Sequence, residues 1–168
     1  MSARVEMAPY WKTVSLHAMT PRQWEDLCDS CAKCCLVKLV DEDAEDEPGE
    51  GRTGEDPTEY TNVACRLLDL QTCRCGSYAD RLRLVPGCVR LTPETLPRVA
   101  GWLPKTCAYR LVWEGRDLPW WHPLVSGEQA SVHRSGASLL GDMVSENEVP
   151  EEDLEHYILS RTRIDLCP

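Results

Sequence analysis

The chain has 168 residues, 42% of them hydrophobic, with ten cysteines, six tryptophans and no phenylalanine. That length suffices for one domain with a buried core. The net charge of −10 comes with no Lys/Arg cluster able to neutralise a phosphate backbone, which sets nucleic acid aside as a partner.

No apolar run approaches the roughly 18 residues that a membrane-spanning helix needs. The opening residues, Met1 to Trp11, include Glu6 and lack the apolar stretch of a secretory signal. A cytoplasmic protein is therefore expected, in a compartment where thiols stay reduced and clustered cysteines argue for metal rather than disulfides.

Thr20-Pro21-Arg22-Gln23 has the makings of a helix start, with Thr20 as N-cap, Pro21 at the first helical position and Gln23 completing a capping box. The helix is expected to pass through Trp24 and Leu27 and deliver Cys28. The i, i+3, i+4, i+7 spacing of Trp24, Leu27, Cys28 and Cys31 would then share one face between core and metal.

Four thiols fall within eight residues as C-x2-C-x2-C-C: Cys28, Cys31, Cys34 and Cys35. Leu36 to Val40 follows as a short apolar strand. The stretch from Asp41 to Glu59 holds ten acidic residues against Arg52 alone. It fails as a calcium loop, because Asp46 stands where glycine is required and Arg52 at the twelfth position. Pro48-Gly49, Gly51, Gly54 and Pro57 make residues 44–58 a solvated, flexible insertion in one domain spanning residues 1–168. Asp41 and Asp43, near the thiols, are candidate additional ligands or neighbours of a metal.

Glu59 to Cys65 alternates like a strand. Cys65, Cys73, Cys75 and Cys88 then fall within 24 residues, with Tyr78 and Arg81 between them. Pro97 is expected to hold the helix starting at Thr92-Pro93 to about one turn. Pro104 opens a helix from Lys105 to about Trp113 that carries Cys107 and stops at Gly115. Residues 127–141 resemble turns with a short strand pair, and Pro150-Glu151-Glu152-Asp153 leads an amphipathic helix to about Ser160. With twelve prolines and ten glycines spread along the chain, the expected fold is mainly α with irregular loops and room for a small strand pair, stabilised by metal.

Scattered buried cysteines would be small hydrophobes; clusters of them suit a thiophilic ion. C-x2-C-x2-C echoes the opening of a ferredoxin run, whereas Cys28/Cys31 supplies one pair of a zinc site. Neighbouring side chains tend to diverge, so the adjacent Cys34 and Cys35 are awkward for one tetrahedral ion. One [4Fe–4S] cluster, one or two zinc ions, or a site of each kind all satisfy the spacing. Tyr78 and Arg81 could donate hydrogen bonds around the ligands. His122, flanked by Trp121 and Pro123, suits packing better than ligation. No phosphate loop or nucleophile elbow is present.

Residues Cys28 to Asp43, Tyr60 to Leu68, Cys73 to Arg81, Cys88 to Pro93, Leu103 to Arg110 and Trp121 to Leu124 resemble the bacterial YcgN-like proteins. These sit within the YkgJ-type CxxCxxCC group of zinc- or iron-chelating domains. The resemblance implies that Cys28, Cys31, Cys34, Cys35, Cys65, Cys73, Cys75, Cys88 and Cys107 form the shared metal-binding pattern, with Cys167 outside it. The expected partner is a metal ion, zinc or iron. Two alternatives stand beside this reading: an iron–sulfur protein in redox or enzyme-accessory work, and an interaction module that docks a protein partner through Trp120-Trp121 and holds a purely structural metal.

Overall fold

The computed structural model describes residues 8–40 and 58–166. The expected insertion, up to residue 57, and Asp41, Asp43 and Cys167 lie outside the described residues.

Short helices surround two small sheets. Helix α1 (Tyr10–Thr13) precedes α2 (Pro21–Glu25), whose start has the expected capping box: Thr20 Oγ1 accepts from Gln23 N at 3.2 Å, and Gln23 Oε1 accepts from Thr20 N at 2.9 Å. The helix stops earlier than expected. In a continuing helix Cys31 N would bond to Leu27 O, but here Cys31 N donates to Asp29 Oδ1 at 3.1 Å and Leu27 O is taken by His122 Nε2 at 3.0 Å. The shared core-and-metal face therefore does not form. The chain coils through left-handed Ser30 (φ 61°) and Ala32 (φ 69°) instead.

Strand β1 (Leu36–Leu39) pairs antiparallel with β2 (Glu59–Ala64). The register slips between Leu36 and Lys38, and Thr61 Oγ1 bridges the irregularity by donating to Val37 O at 2.8 Å. Strands β3 (Leu68–Asp69) and β4 (Arg74–Cys75) form a separate antiparallel ribbon. Helices α3 (Arg81–Leu84), α4 (Leu96–Val99), α5 (Ala108–Trp113), α6 (Pro123–Ser126) and α7 (Ser131–Arg134) follow. Strand β5 (Val144–Ser145) then joins β2 in parallel, giving the order β1-β2-β5, and α8 (Arg161–Ile164) ends the described chain. As the central strand, β2 buries Tyr60, Thr61, Val63 and Ala64.

The strand content exceeds the expected strand pair, and several boundaries differ. Pro97 does not end a helix; it sits in the first turn of α4, where its missing N–H costs nothing. The helix expected from Lys105 begins only at Ala108, since the backbone is still extended at Cys107 (ψ 125°), and Lys105 N donates to Asp165 Oδ1 at 2.8 Å. Residues 127–141 hold α7 rather than a strand pair. The amphipathic helix after Pro150 is a 3-10 segment, Glu151–Tyr157. The chain is drawn extended just beyond it, where Ile158 bridges Thr61 and Leu159 N donates to Tyr60 O at 2.7 Å.

One apolar cluster joins the sheet to α8 through Leu36, Tyr60, Ala64, Leu139 and Ile164. A second packs α2, α4 and α5 together through Leu27, Leu96, Leu103 and Tyr109, with the rings of Trp24 and Tyr109 at 4.8 Å. The thiol-bearing stretch from Cys28 to Cys35 runs between them. No helix among the described residues is long and apolar enough to cross a membrane.

Candidate metal centre

All nine described cysteines are free thiols. Cys28 and Cys34 reach the surface, Cys31, Cys35, Cys65, Cys75, Cys88 and Cys107 are half-buried, and Cys73 is buried. Two hydrogen bonds bring Cys28 and Cys107 near each other by locking α5 and the loop before α6 onto the end of α2. Tyr109 Oη donates to Trp24 O at 3.0 Å, and His122 Nε2 bonds Leu27 O at 3.0 Å. Cys107 is the N-cap residue of α5. Beside it, Lys33 Nζ reaches Thr106 Oγ1 at 3.4 Å.

The two cysteine-rich stretches meet. Cys65 N donates to Cys35 O at 3.0 Å, extending the β1–β2 pairing by one bond. Leu68 N donates to Cys65 O at 2.8 Å, and Leu68 is the ribbon partner of Cys75. Arg66 Nη2 donates to Leu84 O at 2.5 Å, holding the segment that turns at Pro86-Gly87 into Cys88. The neighbouring Cys34 and Cys35 do not diverge: their Sγ atoms are 3.9 Å apart, close to the roughly 3.8 Å edge of a tetrahedral zinc tetrathiolate.

The electrostatics follow this arrangement. Burial raises the thiols of Cys28, Cys31 and Cys107, the last to about 12, with Cys34 and Asp29 adding to each. The contact with Cys35, then burial, raises Cys34. Cys65 and Cys88 are raised by burial, and each also feels Cys75.

Cys73 lies apart. It packs in the apolar cluster with Ala32, Leu36 and Ile164, in a left-handed turn (φ 56°) between β3 and β4. Burial, then Asp69, raises its thiol.

Three lysine and arginine side chains stand beside the thiols. Lys38 Nζ donates to Cys34 O and Leu36 O, both at 2.8 Å, and lies 4.7 Å from the Trp102 ring and 5.3 Å from that of Tyr60. Burial lowers its pKa, against which Cys34, Cys35, Cys88 and Cys65 pull it up. Lys33 is fully buried, beside Cys31 and Asp29. Arg81 stacks on the Tyr78 ring at 3.7 Å and acts on Cys88, while Tyr78 Oη donates to Glu25 Oε2 at 2.7 Å. Lys33 and Lys38 were not singled out from the sequence; a lysine inside an apolar run was the available signal. His122 is fully buried, with Nδ1 accepting from Leu124 N at 3.1 Å and Nε2 donating to Leu27 O. Both nitrogens are used in packing.

Among the described residues, no three His, Cys, Asp or Glu side chains form a finished metal-holding group. The donor set nevertheless fits a thiophilic metal in kind: free thiols on hydrogen-bonded segments, with cations placed to balance thiolate charge. Closing them around an ion would take local side-chain movement, as in sites where metal binding and ordering are coupled.

Residues 27–108 match the family model CxxCxxCC, described as "Putative zinc- or iron-chelating domain". A UPF0260 protein of Parvibaculum lavamentivorans is 54% identical, with 90% of this chain and 92% of the relative covered. UPF0260 protein mll2411 of Mesorhizobium japonicum is 54% identical over 90% and 95% of the two chains. A UPF0260 protein of Azotobacter vinelandii is 48% identical over 96% and 99%. No solved structure matches. With half its residues shared along nearly the whole length of such relatives, the chain belongs to the UPF0260 family.

Proposed function

We propose that this protein binds zinc or iron through its clustered cysteine thiolates, and that the bound metal organises the thiol-bearing stretches. The observation that carries the reading is the position of Cys34. Its sulfur is 3.9 Å from that of Cys35, and it stands near Cys28 and Cys31 of the same stretch and near Cys88 and Cys107 from distant parts of the sequence. The family description of zinc or iron chelation supports the same chemistry.

A bound zinc would supply a tetrahedral cross-link, and an iron–sulfur cluster would add one-electron transfer. The chain's own residues hold the thiols and balance their charge. Asp29 Oδ1 pins the Cys31 amide, Lys38 fixes the Cys34 and Leu36 carbonyls, and Arg81 offers its guanidinium to Cys88. Tyr78 stays outside the proposed ligand set, under the Arg81 guanidinium and bonded to Glu25.

Alkylation read by mass spectrometry tests the proposal. In the protein purified without oxygen, the ligand thiols should be protected. A strong chelator should expose them and remove much of the native circular dichroism, since one structural zinc contributes on the order of 10 kcal/mol. Retention of both thiol protection and native signal after complete demetallation would overturn the reading.

A further inference from the structure

We infer that Cys34 and Cys35 are a redox-active vicinal pair, which a low-molecular-weight disulfide oxidises to a Cys34–Cys35 bond, and that this closure governs metal occupancy. The pair stands on the geometry of one turn. Its effect on metal rests on the metal-binding reading above, which uses both sulfurs as thiolates; a disulfide withdraws both.

The backbone holds the two side chains together. Lys33–Cys35 is a single 3-10 turn. The bond from Cys35 N to Ala32 O at 3.0 Å fixes its start, and the bond from Cys65 N to Cys35 O at 3.0 Å fixes its exit. Lys38 Nζ donates to the carbonyls of Cys34 and Leu36, on either side of Cys35, both at 2.8 Å. In this clamped turn the two Sγ atoms stand 3.9 Å apart, near van der Waals contact. Side-chain rotation then has to bring them to the roughly 2 Å of a disulfide.

The two sulfurs differ in access, and that assigns their roles. Cys34 reaches the surface, whereas Cys35 is half-buried against the apolar cluster that holds Leu36 and Ile164. Cys34 therefore meets the oxidant and Cys35 resolves the adduct. Cys34 gives up its proton and attacks one sulfur of the small disulfide, whose S–S bond breaks as one thiolate leaves with the electron pair. Cys35 gives up its proton in turn, attacks the Cys34 sulfur and expels the second thiolate. The pair loses two protons and two electrons, and the oxidant becomes two thiols. Consecutive Cα atoms lie about 3.8 Å apart across a trans peptide, short of the roughly 4.4–6.8 Å that disulfides usually span. The vicinal bond is thus strained and readily reduced, which makes the step reversible. Closure also takes away Cys34, the thiol that stands near Cys28, Cys31, Cys88 and Cys107.

The test titrates the full chain, purified without oxygen, with oxidised glutathione and follows peptide masses and released metal together. Trypsin cuts after Lys33 and Lys38, so the peptide of residues 34–38 carries Cys34 and Cys35 and no other cysteine. That peptide should become lighter by two hydrogens, resist alkylation and regain its reduced mass with dithiothreitol. Its bridging should run in step with release of Zn²⁺ or iron. Cys35→Ser should stop at a glutathione adduct on Cys34, and Cys34→Ser should leave the peptide unbridged and react more slowly. Should either variant fail to fold, the wild type still decides. A disulfide from Cys34 to Cys31 or to any other cysteine, or an unbridged 34–38 peptide, overturns the pair while leaving metal binding intact. Bridging with the metal retained overturns its control of occupancy. A chain that bridges 34–38 but neither carries nor takes up Zn²⁺ or iron overturns the underlying metal reading instead.

Discussion

Replacing His122 with alanine tests how the chain leading into Cys28 is held. The imidazole is fully buried; Nε2 donates to Leu27 O at 3.0 Å and Nδ1 accepts from Leu124 N at 3.1 Å. Alanine would orphan a carbonyl and an amide, each costing about 1–3 kcal/mol when buried, and would leave a cavity besides. A loss of about 3–5 kcal/mol is expected, a large share of the roughly 5–15 kcal/mol that a domain has. With a urea dependence of about 2 kcal/mol/M, the unfolding midpoint should fall by about 2 M. His122→Gln can keep a donor toward Leu27 O and His122→Asn an acceptor toward Leu124 N, so both should fall between. The pH dependence has a definite sign. Burial lowers the His122 pKa below its ordinary 6.5, although Leu27 O and Asp29 pull the other way. The unfolded chain therefore takes up this proton more readily. The stability His122 provides is present above about pH 6.5 and lost as the pH falls below it. The gap in stability between wild type and His122→Gln should accordingly shrink from pH 7 to pH 5. A His122→Ala midpoint within about 0.3 M of wild type, or a gap that does not change with pH, would refute the reasoning.

Thr20→Ala should lower stability by about 1 kcal/mol in the same urea assay, through loss of the reciprocal cap with Gln23. Lys38→Met keeps an apolar stem over Trp102 but removes the charge and the bonds to Cys34 O and Leu36 O. It should weaken metal affinity about 10- to 100-fold in competition with a chromophoric chelator, with circular dichroism unchanged. Deleting residues 44–57 should leave metal content and unfolding midpoint as they are, because Leu39 and Glu59 already pair across the gap. A loss of metal on deletion would make the acidic stretch part of the site.

What could be read in the sequence was what nearest neighbours decide. The capping box at Thr20 and the strands at Leu36 and Glu59 follow from residues within a few positions of one another, and the family is legible in the cysteine spacing. What could not be read depends on distant partners. Past Glu25 the carbonyls that a longer α2 would use are engaged by distant residues, Trp24 O by Tyr109 and Leu27 O by His122, 95 residues away. Lys105 is tied to Asp165, 60 residues away, and the chain beyond the 3-10 segment is tied to β2 by the Thr61–Ile158 bridge. The β2–β5 pairing joins Val63 to Val144, with no local signal in either. Cys73 fits the family spacing as well as Cys75 does. Only its left-handed turn and apolar neighbours separate the two. Lys38 was hidden because a strand pattern gives no sign that its charge faces Trp102 and four thiols.

Elemental analysis of the anaerobically purified protein, with its visible absorption spectrum, tests the central claim most directly. The account predicts zinc or iron in whole-number stoichiometry with the chain. Colourless protein with zinc indicates thiolate-bound zinc, and brown protein with iron and sulfide indicates a cluster. A folded chain that contains neither metal and takes up neither on reconstitution would contradict it.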